Sequence, residues 1–168
     1  MQHKLIHNFK KGKQLLEWEV YATFQQLSSL DQQVLHLAKT HLQYSHSPYS
    51  NFKVGTGLYL ENGVFIGGSN QENASYPLCL CAERVALAAA ASTHPHIPIL
   101  TLAVTVQHPA KIIGKPAMPC GACRQVICEV EQKQQQAIRI LTQGEQGEVF
   151  VFPSGLSILP LAFDASYL

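Results

Sequence analysis

The sequence predicts an α/β protein, with one mixed sheet of about five strands and helices on its faces. Three observations carry this. Segments of helical spacing alternate with β-rich runs along the chain. Asn62-Gly63, between the β-rich residues 52–60 and 64–68, is a strong hairpin signal. Residues 100–106 form a continuous apolar run, the pattern of a strand covered on both faces.

In chain order, residues 1–28 lack strong periodicity. Leu15, Leu16, Trp18, Val20, Tyr21 and Phe24 are nevertheless apolar, so the stretch reads as an N-terminal extension packed on a domain spanning 29–168, with room for a strand. Ser28 and Ser29 before Asp31 mark a helix start, and Val34, Leu35, Leu37, Ala38 and Leu42 follow at helical spacing. That helix fades at Ser45-His46-Ser47-Pro48. Residues 52–60 form a strand, and 64–68 return antiparallel through the Asn62-Gly63 turn. Residues 69–80 are a polar loop holding Asn70, Glu72, Asn73 and Tyr76. An alanine-rich, strongly helix-favouring stretch runs over about 81–91, and Pro95 and Pro98 end that region. After the buried strand at 100–106, Pro116 and Pro119 frame a loop into Cys120. A helix over about 121–131 then places Val126, Ile127 and Val130 inward, and 132–136 form a polar surface segment. Strands at 138–141 and 148–152 flank the turn 144–147, and 155–161 read as a short apolar helix leading to Phe163. Gly55-Thr56-Gly57 lacks the third glycine of a dinucleotide fingerprint and is set aside.

Apolar residues make up 46 % of the chain, enough for a core, and charged residues only 14 %, which points to surface buried against a partner chain. The net charge of +1 excludes a global electrostatic attraction to nucleic acid. The one basic cluster, Lys4, Lys10, Lys11 and Lys13, reads as a solvated arm. With no apolar run of signal-peptide or membrane-spanning length, the expected location is cytoplasmic, with no membrane partner. Five cysteines, an odd number, fit metal thiolates in a reducing compartment better than a disulfide framework.

Two stretches carry the chemistry: Cys81-Ala82-Glu83 and Pro119-Cys120-Gly121-Ala122-Cys123. Three thiols suffice for zinc and keep a fourth position open for water, as catalytic sites require. Glu83, two residues after the first thiol, is placed to handle that water's protons. This arrangement matches the signature of zinc-dependent nucleobase deaminases with cysteine in place of histidine. Both stretches open predicted helices, whose positive ends favour thiolates. Three thiolates around Zn²⁺ leave a net negative centre, so a nearby cation is expected. Arg84 and Arg124 are the candidates for hydrogen bonds to the sulfurs, Arg84 the better by spacing. Cys79 raises the rival of a closed four-cysteine structural zinc with Cys81, Cys120 and Cys123, although that rival leaves Glu83 without a role. Cys128 reads as a core thiol, and the eight histidines as surface or core residues.

Several motifs in order resemble one family: residues 47–55 (SPYSNFKVG), 70–77 (NQENASYP), 80–84 (LCAER), 119–125 (PCGACRQ) and 159–163 (LPLAF). The chain from about 31 to 163 is similar to the small, three-cysteine, homotetrameric members of the cytidine/deoxycytidylate deaminase family. The resemblance implies a three-layer α/β/α fold and one Zn²⁺ per subunit held by Cys81, Cys120 and Cys123, with Glu83 as the proton shuttle. It implies that Asn70 and Glu72 hold the ribose 3′-hydroxyl, with Gln71 beside them in the substrate-binding set. The main chain at Ala82 would meet the pyrimidine O2 and Phe52 would pack on the nucleoside. Tyr76 and Phe163 match positions that reach into a neighbouring subunit's site, so active sites would be shared across a homotetramer. The chain departs from the family at Cys79, often glycine there, and at Leu161-Ala162, which replace a more polar pair.

The expected activity is hydrolytic deamination of free cytidine and deoxycytidine in pyrimidine salvage, on a small nucleoside and not on nucleic acid. The alternatives are another aminopyrimidine nucleoside such as blasticidin S, or a non-catalytic four-cysteine zinc module.

Overall fold

The structure, a computed structural model, describes residues 12–168; Lys4, Lys10 and Lys11 of the basic arm lie outside them. Among the described residues the sheet has six strands: β1 (Glu19–Tyr21), β2 (Lys53–Leu60), β3 (Phe65–Ser69), β4 (Ile99–Gln107), β5 (Arg139–Gln143) and β6 (Val149–Phe152). They lie in the order β1-β6-β5-β4-β2-β3. Three α-helices accompany them: α1 (Ser29–His41), α2 (Ala82–Thr93) and α3 (Gly121–Gln134). No helix among these residues is long and apolar enough to cross a membrane.

The sheet is mixed because β2 runs antiparallel to both β3 and β4, which makes those two parallel, and β5 is parallel to β4. The two crossovers are α2 and α3. Both pack on one face, where Ala86, Leu87, Ala90 and Ile127 meet Leu58, Leu102, Val104 and Ile140. The other face takes α1, through Val34, Leu35 and Ala38 against Ala103, Leu141 and Val151. The outcome is three layers, as the sequence predicts.

Local chemistry explains the element ends. Ser28 Oγ accepts the amide of Asp31 and caps α1. Gly63, at φ +87°, makes the β2–β3 turn. α1 lies unusually close to β2, since a Cβ on Gly55 would stand 2.0 Å from the Ala38 carbonyl oxygen.

The strand count and one element differ from the sequence reading. The N-terminal extension supplies the strand it has room for: β1 pairs with β6, Glu19 opposite Val151, and makes the sheet six-stranded. Trp18 packs on Phe150 and Phe152 at ring-centroid distances of 6.0 and 6.1 Å, and Arg139 reaches Glu19 at 3.1 Å and Asp31 at 3.4 Å. The apolar tail is not a helix over 155–161 but one 3-10 turn, Leu156–Ile158. Pro160 disfavours the helical region for the residue before it, and Leu159 is non-helical at φ −131°, ψ 78°. Leu161 then lies 97 % exposed in a left-handed conformation.

Candidate active site

The topology brings the two cysteine stretches together. β3 and β4 are parallel, and each is followed by a loop and then a helix on the same face, so α2 and α3 start at the same edge of the sheet. In a sheet of this kind that edge, outside the carboxyl ends of parallel strands, is where ligands bind. Cys81 and Cys120 are the residues immediately before α2 and α3, in extended conformation, and Cys123 lies in the first turn of α3. Their sulfurs therefore sit where the free amides and positive helix ends are concentrated.

The Cys81 and Cys120 sulfurs are 3.8 Å apart, those of Cys120 and Cys123 are 3.5 Å apart, and all three fall within 4.8 Å of one another. A tetrahedral zinc about 2.3 Å from each sulfur requires sulfurs about 3.8 Å apart. The donor set fits the ion, and the cluster is a zinc site. Cys79 stands outside it: its sulfur accepts the Asn73 amide at 3.2 Å. That placement removes the four-cysteine reading.

The thiols are electrostatically unequal. Cys81 is held down to about 5, chiefly by a hydrogen bond from the Cys123 thiol and further by Cys120 and Arg84, against the effect of burial. Cys123 is pushed up, because Cys81 takes the thiolate role beside it and because it is buried. Glu83, 4 % exposed at the start of α2, has its carboxyl pushed above its usual range, first by burial and then by the negative charge of Cys81. Cys128 is buried in the core, its thiol raised to about 11 by burial and by the charge of Glu131.

The two arginines divide. Arg84 lies beside Cys81, where its charge favours the thiolate. Its Nη2 donates to the Cys79 carbonyl at 2.9 Å, and its Nε is buried without a protein partner. Arg124 does not serve the sulfurs as expected: its Nε and Nη1 are committed to the carbonyls of Pro119, at 2.8 Å, and Ile158, at 2.9 Å. Its connection to the centre runs through the loop that carries Cys120.

Asn70 follows β3 at the same edge of the sheet. Its side chain donates to the Phe52 carbonyl at 2.9 Å and accepts from the Val54 amide at 2.8 Å and the Ser45 hydroxyl at 2.6 Å. One amide hydrogen remains for a ligand. The Glu72 carboxylate accepts from the Tyr49 and Ser50 amides and the Ser50 hydroxyl, and that hydroxyl, more than any other contact, holds it below the usual range. Gln71 departs from its assigned place. Its amide reaches the Tyr44 carbonyl at 3.2 Å and the Ser69 hydroxyl at 3.3 Å, away from its two neighbours' partners, because side chains alternate along an extended segment. Ala82 opens α2 with its methyl fully buried, leaving a first-turn amide without an intrahelical partner. Phe52 is partly buried beside Asn70. Tyr76 is 69 % exposed and meets Tyr49 edge-on, and Phe163 is 60 % exposed and stacks on Tyr167.

A residue that sequence reading missed is Ser45, which orients the Asn70 amide through its hydroxyl. Its only signal was a polar residue at the fading end of a helix.

Comparisons with known proteins point the same way. The model of the cytidine and deoxycytidylate deaminase zinc-binding region matches residues 28–138. A cytidine deaminase of Halalkalibacterium halodurans is 38 % identical over 121 residues, covering 72 % of this chain and 84 % of the relative. The crystal structure of cytidine deaminase from Burkholderia pseudomallei superposes with a TM-score of 0.69 at 36 % identity, covering 82 % of this chain and all of that one. That of cytidine deaminase from Mycobacterium tuberculosis does so with 0.60 at 28 % identity, covering 79 % and 95 %.

Proposed function

Since this chain belongs to the cytidine and deoxycytidylate deaminase family and is a hydrolase of that kind, we propose that it deaminates free cytidine and deoxycytidine to uridine and deoxyuridine, releasing ammonia, in pyrimidine salvage. The observation that carries this reading is Glu83, a carboxyl buried beside three converging thiols with its proton affinity raised.

Cys81, Cys120 and Cys123 would hold the zinc, which when bound supplies the Lewis acidity that makes water nucleophilic near neutral pH. Glu83 takes a proton from the attacking water and delivers it to the ring nitrogen of the pyrimidine. A second proton carried by the same carboxyl leaves with ammonia. The Ala82 amide meets the pyrimidine O2 and Phe52 packs on the nucleoside. A 3′-hydroxyl donates to Glu72 and accepts from the remaining Asn70 amide hydrogen, a grip that ignores the 2′ position and so admits both sugars.

We infer further that the working unit is a homotetramer with shared active sites. Exposed Tyr76, Leu78, Leu80 and Phe163 support this, as apolar surface beside the site that a second subunit would cover. Three thiols that must stay reduced suit the cytoplasm.

The test is loss of the cytosine absorbance band when zinc-loaded protein meets cytidine, beside Glu83→Gln. Turnover that collapses in the variant while zinc is retained supports the reading. Zinc retention with no turnover of either nucleoside would overturn it.

A further inference from the structure

We propose that Glu131 is a positioning residue for the metal centre, acting through Arg124 on the loop that carries Cys120. It lies in the last turns of α3, about 16 Å along the helix from Cys120, and touches none of the site residues. It is 4 % exposed, and among the described residues no cation pairs with it. Burying an unpaired carboxylate is costly unless hydrogen bonds compensate it. Here three backbone amides do so: Ile138 and Gly155 donate to Oε1 at 2.7 Å each, and Leu156 donates to Oε2 at 3.1 Å. A glutamine offers one acceptor oxygen and could not serve both sides.

Those bonds fix the beginning of the 3-10 turn Leu156–Ile158. The other end of that turn presents the Ile158 carbonyl to Arg124 Nη1 at 2.9 Å. Arg124 Nε donates in turn to the Pro119 carbonyl at 2.8 Å, and its own amide to the Cys120 carbonyl at 3.0 Å. The Arg124 side chain thus ties the turn after β6 to the Pro119–Cys120 peptide, while its main-chain amide closes the first turn of α3 on the Cys120 carbonyl. The close fit at the origin supports the same route, because a Cβ on Gly155 would stand 2.5 Å from Ile127 Cγ2 and 3.1 Å from Glu131 Oε2. The three amide bonds set where the turn lies, the turn sets Arg124, and Arg124 sets the Cys120 loop.

This inference rests on the zinc site described above. It is tested in the full, zinc-loaded chain by the rate of zinc release to a chromogenic chelator, with the thermal midpoint recorded alongside. Partners outside the ligand shell typically change metal affinity by about 10–100-fold. Glu131→Gln, which sets an NH₂ against the Leu156 amide, is expected to quicken release about tenfold, and Arg124→Gln by a similar factor. The double variant should be no faster than the quicker single one, as two groups in one relay require. Leu35→Ala, a core deletion on the opposite face of the sheet, shows what lost stability alone does and should leave release unchanged. Unchanged release in Glu131→Gln, rates that multiply in the double variant, or equal acceleration in Leu35→Ala would overturn the relay. Should Glu131→Gln fail to fold, unchanged release in Arg124→Gln overturns it. A wild type that holds no zinc would instead overturn the metal centre itself, and the relay with it.

Discussion

The sulfurs of Cys81 and Cys120 stand 3.8 Å apart, each on the residue immediately before its own helix. This double placement separates metal binding from folding. Serine is a favourable residue before a helix but a poor ligand for zinc. Cys120→Ser is therefore expected to keep its far-UV circular dichroism while its zinc content, by elemental analysis, falls from stoichiometric to trace and turnover disappears. Retained zinc would show that the third thiol is dispensable.

The proposed sharing of active sites between subunits predicts complementation. Glu83→Gln and Phe163→Ala subunits, each weak alone, should recover activity when dissociated and reassembled together. The hybrid contains sites with an intact Glu83 from one subunit and an intact Phe163 from another. A mixture no more active than its parts would confine each site to one chain.

Acid should release the first strand before the core melts. The Glu19 carboxylate is held below its ordinary value of 4.5, first by the Tyr21 hydroxyl and then by Arg139. A lowered folded value means its contribution is fully present above pH 4.5 and is lost as the pH falls through that lower value. The group is largely exposed, so the effect is small, at most about 1 kcal/mol. Trp18, the one tryptophan of the chain, packs on Phe150 and Phe152 and reports undocking by fluorescence. Its acid transition should precede the loss of far-UV signal and shift to higher pH in Arg139→Ala. Coincident transitions would refute a separately titrating strand.

Two glycines should respond oppositely to alanine. At Gly55 the new methyl would meet the Ala38 backbone carbonyl at 2.0 Å, so Gly55→Ala should cost at least the ~1–3 kcal/mol of ordinary overpacking. At Gly121, the first residue of α3, nothing lies within 4 Å, and alanine should stabilise by up to ~1 kcal/mol through helix propensity. Urea midpoints decide both.

Much of the fold was legible because local signals agreed with tertiary ones. Ser28 ahead of an amphipathic run gave α1, Asn62-Gly63 gave the hairpin, and the apolar run at 100–106 gave the central β4. Each rests on near neighbours in sequence. β1 was not legible as a paired strand, since three residues carry no periodicity and their partner lies at the far end of the chain. The tail misled because apolar residues at 155–161 resemble a helix, while Pro160 disfavours one. At the site, the cysteines and Glu83 announced themselves by spacing. Gln71 could have been read correctly from alternation alone, since Asn70 and Glu72 already claimed the other side. Arg124 and Glu131 could not, because their partners are carbonyls and amides, and those carry no mark in the sequence.

The pairing of Glu19 with Val151 also imposes an order of events during synthesis. β1 leaves the ribosome before β6 and so has no strand partner until β6 follows, on the order of ten seconds later at usual elongation rates. Until then Trp18 and Val20 are apolar surface on a tethered nascent segment, while β2, β3 and β4 can already pair among themselves. Among the described strands the earliest is received by the latest, so that edge of the sheet closes only after β6 has been made.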